Sequence, residues 1–475
     1  MKYKFKIFWT ILFFISILFT RFYNLEKTTR FTRDESQNLV DMHRIYVDRE
    51  ITFVGPINYG ETIVYPSTTF YMLLPFAALG KFEPYSPALG TAFFGFLTVV
   101  VIMLITRELN RKILLLTAIL LIVWFPFLET SRWAWNPHLV PFTSFLAIYL
   151  FFRKGPIYKL FSGFLFGLSF HLHYLTIVSF SIFGLYTFVI SVRERKFKKV
   201  IYLALGFLIA IIPFVIFDFR NPPGLFFNYY IKNNLISSGA GGELTLFPKT
   251  FLENLYNVLV LLTQFKILAI LVGLLLSLLI YIDLIKKSKS LIYLFPAFGQ
   301  IIIISFLPFY ENRYFYLGLP FFLVWLIYPR TYASMIVKLS IVLMITGSLF
   351  TVKKQLTLPI REPDTYSIRI ITNHIKEIVA KDDRKNINIA ALASPDQDPL
   401  AVIYRHTLQV KEVDLLADNQ FDITDNLFVV TTSDEDKIRN DPANVMTWFR
   451  KGPVVDRYDV GGTSWKVYLF NRNSK

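Results

Sequence analysis

The chain has 475 residues, of which 54% are hydrophobic and only 18% are charged, whereas a soluble globular domain carries about 25% charged residues. The absence of cysteine excludes disulfides, thiolate metal sites and a cysteine nucleophile. Residues 351–475 carry equal numbers of basic and acidic side chains, so the formal net charge of +16 comes from the first 350 residues. Such an excess favours positively charged cytoplasmic loops and anionic lipid headgroups, not nucleic acid.

Hydrophobic runs of bilayer-spanning length recur up to about residue 351, which predicts a polytopic α-helical membrane protein. The first run follows a basic leader and lacks a small-residue cleavage site, so we interpret it as an uncleaved anchor with a cytoplasmic N-terminus. Placing the basic loops inside then gives about eleven spans and an extracytoplasmic C-terminus. The expected spans lie near residues 5–22, 86–106, 113–128, 138–152, 158–172, 174–192, 199–217, 264–283, 290–309, 313–329 and 332–351.

Two regions outside these spans have distinct patterns. The run from Tyr65 to Phe82, within a first external loop of about 23–85, contains Pro66 and Pro75 and is expected to lie in the outer interface. After about residue 352, strand-length apolar runs alternate with amphipathic stretches. This alternation predicts a small extracytoplasmic α/β domain over 352–475, behind a transmembrane domain over 1–351. The expected strands lie near 387–393, 426–431 and 465–470.

The remaining polar clusters of the transmembrane domain all fall on the outer face in this topology. Ionisable groups at membrane depth are costly and usually functional. Directly after the first span, Asp34 is a candidate general base and Glu35 its partner. Candidate contacts to a donor phosphate or sugar are Arg132, Asn136, His138, His171, His173, Tyr174, Arg220 and Arg313. Candidate loop contacts are Tyr59, Glu61 and Tyr65.

The sequence identifies no cofactor. His171 and His173 are two residues apart, which is not a zinc spacing on a helix, and no third ligand is identifiable. A divalent metal is therefore the weaker hypothesis. A carboxylate near several Arg and His groups and open to lipid suits transfer of a group from a lipid phosphate, with the base deprotonating an acceptor hydroxyl.

Three stretches carry a resemblance to a known family. They are Asp34-Glu35, then Ser131-Arg132-Trp133-Ala134-Trp135-Asn136-Pro137, then Gly167 to Tyr174 with its His-Leu-His-Tyr ending. Together with Phe217-Asp218-Phe219-Arg220-Asn221-Pro222, they resemble glycosyltransferases of the GT-C superfamily, family 39-like, which include protein O-mannosyltransferases and aminoarabinose transferases. The resemblance covers about residues 1–350.

The resemblance implies a multi-pass inner-membrane enzyme that uses a polyprenyl-phosphate-linked, mannose-like sugar. It also implies that Asp34 is the base of an inverting displacement and that Glu35 orients it or the acceptor. The chain lacks the inserted central β-trefoil domain of the eukaryotic protein mannosyltransferases, which weakens the expectation of a protein acceptor and makes a glycan, a lipid or a cell-envelope polymer an equally good expectation for the extracytoplasmic acceptor. The rival functions are a polymerase or ligase using a polyprenyl-diphosphate oligosaccharide, and a non-enzymatic lipid or sugar transporter.

Overall fold

The structure, a computed structural model, describes residues 2–57, 63–222, 224–226, 247–306, 311–359, 362–382, 384–395, 398–449 and 452–472, without the side chains of 2–6, 247–248 and 312–313. These residues divide into two compact units. The first unit comprises Met1–Tyr23, Thr52–Met72 and Thr91–Leu356. The second unit comprises Asn24–Ile51, Leu73–Gly90 and Thr357–Lys475.

Helices account for most of the described chain. In chain order they are α1 (Lys2–Phe22), α2 (Leu25–Thr28), α3 (Arg33–Asp48), α4 (Thr68–Leu79), α5 (Ser86–Leu109), α6 (Leu114–Val123), α7 (Phe125–Thr130), α8 (Val140–Phe151), α9 (Pro156–Leu172), α10 (Thr176–Glu194), α11 (Lys198–Arg220), α12 (Phe247–Thr263), α13 (Lys266–Ile285), α14 (Leu291–Ile304), α15 (Asn312–Tyr316), α16 (Leu319–Ile327), α17 (Ser334–Thr357), α18 (Thr365–Asp382), α19 (Val402–Val410), α20 (Glu435–Arg439) and α21 (Val445–Phe449). The strands are β1 (Val54–Ile57), β2 (Val64–Pro66), β3 (Ile387–Ala391), β4 (Asn426–Thr431), β5 (Val454–Asp459) and β6 (Lys466–Asn471).

Helices α5, α10, α11, α13 and α17 are each long and apolar enough to cross a membrane. The prediction of a multi-pass helical membrane protein is therefore confirmed, whereas the number of eleven spans stays a prediction. Two of the expected spans are each broken into two helices. Trp124 adopts an extended conformation between α6 and α7, and Gly318, followed by Pro320 in the first turn of α16, separates α15 from α16.

Small residues and a fully buried helix organise the packing of the first unit. A Cβ atom on Gly163 of α9 would collide with the carbonyl of Leu203, and one on Gly206 of α11 with the carbonyl of Leu160. Glycine therefore allows the two helix backbones to approach closely, as small residues do in membrane interfaces. Every residue of α16 is buried, which makes it a central element of the core.

A buried ion pair ties α13 to the segment after α16. Arg330 Nε and Nη2 lie 2.9 and 2.6 Å from the two carboxylate oxygens of Asp283, and both side chains are almost fully buried. Trp325 Nε1, Ser290 Oγ and Tyr332 OH also donate to this carboxylate, at 2.9, 2.8 and 3.1 Å. Arg330 thus has a structural contact inside the unit.

The second unit contains a four-stranded sheet with strand order β3-β4-β6-β5. Strands β3 and β4 pair in parallel, and the other two pairings are antiparallel. All residues of β3 and β4 are buried, as expected for parallel strands with both faces covered, and β3 is buried although it lies at one edge of the sheet. Strands β3, β4 and β6 occupy the three stretches where the sequence predicts strands, whereas the exposed edge strand β5 lies in a stretch where no strand is predicted.

Candidate functional site

In the second unit, Asp34 lies in the first turn of α3. This helix begins at Arg33 because Thr32 and Glu35 form a capping box, in which the Thr32 amide donates to Glu35 Oε2 at 2.8 Å and the Thr32 hydroxyl contacts the same oxygen. Glu35 is 3% exposed, so its carboxylate supports the start of the helix, whereas Asp34 is half-buried. The positive end of the helix dipole favours a carboxylate in this turn.

A polar groove follows the same helix. Gln37, Asp41, Arg44 and Asp48 recur every three or four residues from Asp34, so they share its side of α3. They line a cavity of about 460 Å³ together with residues that include His43 of α3 and Gln409 of α19. Burial raises the pKa of Asp41, partly offset by the Gln37 amide that donates to it at 3.3 Å and by Arg44. The groove therefore offers carboxylate, amide and guanidinium groups to a polar ligand.

In the first unit, Arg132 binds the end of α1. Its Nη1 donates to the carbonyls of Thr20 and Arg21 at 2.9 and 3.0 Å, and its Nη2 donates to the carbonyl of Tyr23 at 2.8 Å. These are C-terminal carbonyls that no residue of the helix itself can satisfy. Burial lowers the pKa of Arg132 to about 10, so the guanidinium stays charged at neutral pH. This geometry gives Arg132 a structural role, and a contact with a donor phosphate stays a prediction.

The turn between α7 and α8 presents stacked aromatic rings and a histidine. The indoles of Trp133 and Trp135 stack with centroids 4.3 Å apart. His138 meets Trp133 edge-on, and its Nδ1 lies 3.1 Å from the Trp133 carbonyl. Asn136 donates through Nδ2 to the carbonyl of Leu172 at 2.6 Å, which ties this turn to the end of α9.

At this end of α9, the two histidines contact different neighbours. His171 Nδ1 lies 3.0 Å from Thr68 Oγ1, and the ring packs edge-on against Phe214 at 4.3 Å. The ring of His173 lies 5.8 Å from that of Tyr65 and 6.0 Å from that of Tyr314. Because they diverge, the two histidines do not form a chelating pair, and within the described residues no group of three or more His, Asp or Glu side chains could hold a metal ion.

Tyr174 is fixed by the segment around β2. Its hydroxyl donates to the carbonyl of Val64 at 2.5 Å, and its ring stacks on Tyr65 at 5.0 Å. Tyr65 therefore lies against both His173 and Tyr174. The expectation of a loop contact at Tyr65 is compatible with this position but stays a prediction.

The short helix α15 connects the two histidine-bearing turns. Tyr314 faces His173, whereas Tyr316 lies 5.8 Å from the ring of His138. The Tyr316 hydroxyl also donates to Glu129 in α7. The structure thus groups His138, His173 and aromatic residues from α15 in one region of the first unit, which we call the histidine cluster.

The structure does not place every candidate in these two regions. Arg220 is exposed at the end of α11, two residues after Asp218, whose Oδ1 accepts from the amides of Leu225 and Phe226 at 2.9 Å each. Tyr59 and Glu61 lie outside the described residues, as does the side chain of Arg313.

Sequence reasoning also missed several residues around the candidates. Glu129 is a lone acid near the end of a charge-free run and could have been noticed on that ground. Tyr316 and the residues of α19 give no local signal, because their partners are far away in the sequence.

Comparison with known proteins adds information on the fold. Neither a protein-family model nor a curated protein matches the chain. Among solved structures, ArnT from Cupriavidus metallidurans bound to undecaprenyl phosphate is similar, with a TM-score of 0.56 and 12% identity over 97% of this chain and 98% of that one. The same protein in the apo state gives a TM-score of 0.55 and 13% identity, covering 97% of each chain. The chain therefore shares the fold of ArnT, which confirms the GT-C resemblance at the level of the fold.

Proposed function

We propose that this chain is an integral-membrane glycosyltransferase that moves a sugar from a polyprenyl-phosphate donor to a hydroxyl group outside the cytoplasm. The observation that carries the proposal is the likeness of fold to ArnT, which extends over nearly the whole of both chains and includes a structure bound to undecaprenyl phosphate. Fold alone does not define chemistry. The functional groups of the two regions described above supply the rest of the argument.

Asp34 is the proposed base. Its carboxylate accepts the proton of the acceptor hydroxyl while that oxygen attacks the anomeric carbon of the sugar. The bond from this carbon to the phosphate oxygen breaks, and polyprenyl phosphate leaves with both bonding electrons. A single displacement of this kind inverts the anomeric configuration. Glu35 supports the step indirectly, because it holds the turn of α3 that carries Asp34.

The histidine cluster is the proposed source of donor contacts. His138 and His173 can donate hydrogen bonds to phosphate or sugar oxygens, and the cluster is rich in aromatic rings. Asn136, His171 and Tyr174 keep the surrounding turns in place, and Arg132 acts through the end of α1. Arg220 and Arg313 remain proposed contacts to the donor phosphate. By the family resemblance, the sugar is proposed to be mannose-like.

The groove along α3 is the proposed binding site for the polar part of the acceptor. Its volume lies within the range of about 300–1,000 Å³ that is common for ligand pockets. Acidic, amide and basic groups alternate along it, which suits a ligand with many hydroxyl groups. A glycan headgroup has this chemistry, whether a lipid or a polymer carries it.

The test is turnover by the purified protein in detergent, with a detergent extract of the native membranes as the source of acceptor. Radiolabelled polyprenyl-phosphate mannose, other polyprenyl-phosphate sugars and a polyprenyl-diphosphate oligosaccharide are offered separately. We expect free polyprenyl phosphate to be released from a monophosphate donor only. Release from the diphosphate donor alone would favour a polymerase or ligase, and movement of intact donor across proteoliposomes without release would favour transport.

A further inference from the structure

Helix α3, which carries Asp34, is in contact with the C-terminal segment, Thr357–Lys475, of the second unit. Helix α19 packs against α3, and Ser36, which is fully buried, places its hydroxyl 2.8 Å from His406 Nδ1. The same hydroxyl lies 2.8 Å from the carbonyl of Arg33. A serine hydroxyl has one hydrogen, so when Ser36 donates to Arg33, the Nδ1–H of His406 donates to Ser36.

The geometry of a helix separates this contact from the candidate base. Consecutive residues of an α-helix are rotated by about 100°, so Ser36 lies about 200° around α3 from Asp34. When Ser36 faces His406, the side chain of Asp34 therefore points away from His406. The hydrogen bond therefore fixes the first turn of α3 without occupying the side on which the carboxylate lies.

Two further contacts hold the segments on either side of α3. Glu26, in α2, pairs with Arg369 of α18 at 2.5 Å and presents its carbonyl to Thr365. Glu83 accepts from Lys411 at 2.9 and 3.0 Å. These links join the segments before and after α3 to the C-terminal part of the second unit. The orientation of α3 about its own axis is therefore fixed chiefly by its contacts with α19.

We propose that His406 is a positioning residue for Asp34, and that the C-terminal segment acts in the reaction by holding α3 in one orientation. The inference rests on the proposed function of Asp34. Its physical basis is the steep dependence of rate on geometry, because a displacement of about 1 Å at a reacting group can cost about a hundredfold in rate. His406 itself touches neither the donor nor the acceptor.

The test compares His406→Ala, Ser36→Ala, the double variant and His406→Asn, whose amide can replace the hydrogen bond of Nδ1. We expect each alanine variant to lower kcat by roughly tenfold to a hundredfold with an unchanged KM for the donor. The double variant should be no slower than either single one, and His406→Asn should recover most of the activity. His374→Ala is the matched control, since the His374 ring stacks on Tyr458 within the same C-terminal segment.

Hydrogen exchange of the α3 amides, measured on the same variants, keeps the two proposals apart. Faster exchange in the first turn of α3 in both alanine variants, but not in His406→Asn, is the expected result. Unchanged exchange and unchanged kcat in the folded alanine variants would overturn the inference. Wild-type protein that turns over no donor would overturn the proposed function and the catalytic part of the inference, while the exchange rates would still decide whether His406 holds α3.

Discussion

Two aspartates of this chain have opposite surroundings. Asp283 is fully buried and accepts hydrogen bonds from five donor groups of Arg330, Trp325, Ser290 and Tyr332. An ionised carboxylate offers about four lone-pair positions, so this group has no capacity left for a substrate proton. Asp34 is half-buried in the first turn of a helix beside a polar groove. A buried carboxylate next to a cationic side chain can therefore be a structural site as readily as a catalytic one.

The largest stability effect is expected at Asp283. Asp283→Ala leaves the buried Arg330 without its counter-ion, and breaking a buried pair from one side costs about 3–5 kcal/mol. Thermal unfolding in detergent measures this loss. Turnover per folded molecule should stay unchanged. A folded variant with a large loss of turnover would mean that Asp283 also acts in the reaction, which would remove the contrast with Asp34.

The next largest loss of stability is expected at Arg132. Arg132→Ala removes the donors to three carbonyls at the end of α1, and a hydrogen bond from a charged group contributes about 1.5–3 kcal/mol. We expect Arg132→Lys to recover little, since a single ammonium cannot copy the planar fork of the guanidinium. The measurement is thermal unfolding together with the KM for the donor. A raised KM at unchanged stability would instead assign Arg132 to donor phosphate binding.

The groove predicts a smaller effect on acceptor use. Arg44→Ala and Asp41→Asn each remove one polar contact, so the amount of membrane extract that gives half-maximal transfer should rise by about fivefold to tenfold, which corresponds to roughly 1 kcal/mol. The KM for the donor should not change. Arg49→Gln, in the exposed residue that follows α3, is the matched control for loss of one positive charge. If all variants need the same amount of membrane extract for half-maximal transfer, the groove does not bind the acceptor.

A further effect concerns the dependence of stability on pH. Burial lowers the pKa of His406 to about 4, with Arg33 and Arg405 lowering it further and Asp398 opposing them. In the unfolded chain a histidine has a pKa of about 6.5. Protons therefore bind more tightly to the unfolded state, and stability is retained above pH 6.5 and is lost as the pH falls from 6.5 towards 4. His406→Asn should lose less stability over this interval, as followed by thermal unfolding, and a parallel pH profile would contradict the contact.

Much of this architecture could be predicted from local patterns. Apolar runs of bilayer length and strand-length runs after residue 352 are properties of consecutive residues, and helices or strands occupy those stretches. The Thr32-x-x-Glu35 capping box was also readable, since its two members are one helical turn apart. From the sequence, Glu35 is nevertheless predicted only as a partner of Asp34, because two adjacent acids suggest chemistry before they suggest a cap.

The rest depended on contacts between distant residues. Arg330 lies 47 residues from Asp283, and His406 lies 370 residues from Ser36. No periodicity within a segment reveals such pairs. The role of Arg132 was hidden for the same reason, since its partners lie more than 100 residues earlier, in the last turn of α1 and just beyond it. Local sequence thus indicated where charged groups occur, and only the structure shows which of them are already satisfied.

The measurement that tests the central claim most directly is the release of polyprenyl phosphate from polyprenyl-phosphate mannose by wild-type protein, Asp34→Asn and Glu50→Gln. Glu50 lies two residues beyond the end of α3, is exposed and does not line the groove, so Glu50→Gln controls for loss of a carboxylate near this helix. The account predicts that Asp34→Asn folds like the wild type and loses about 10²–10⁴-fold in kcat, the usual contribution of a general base. Near wild-type release by folded Asp34→Asn would contradict it.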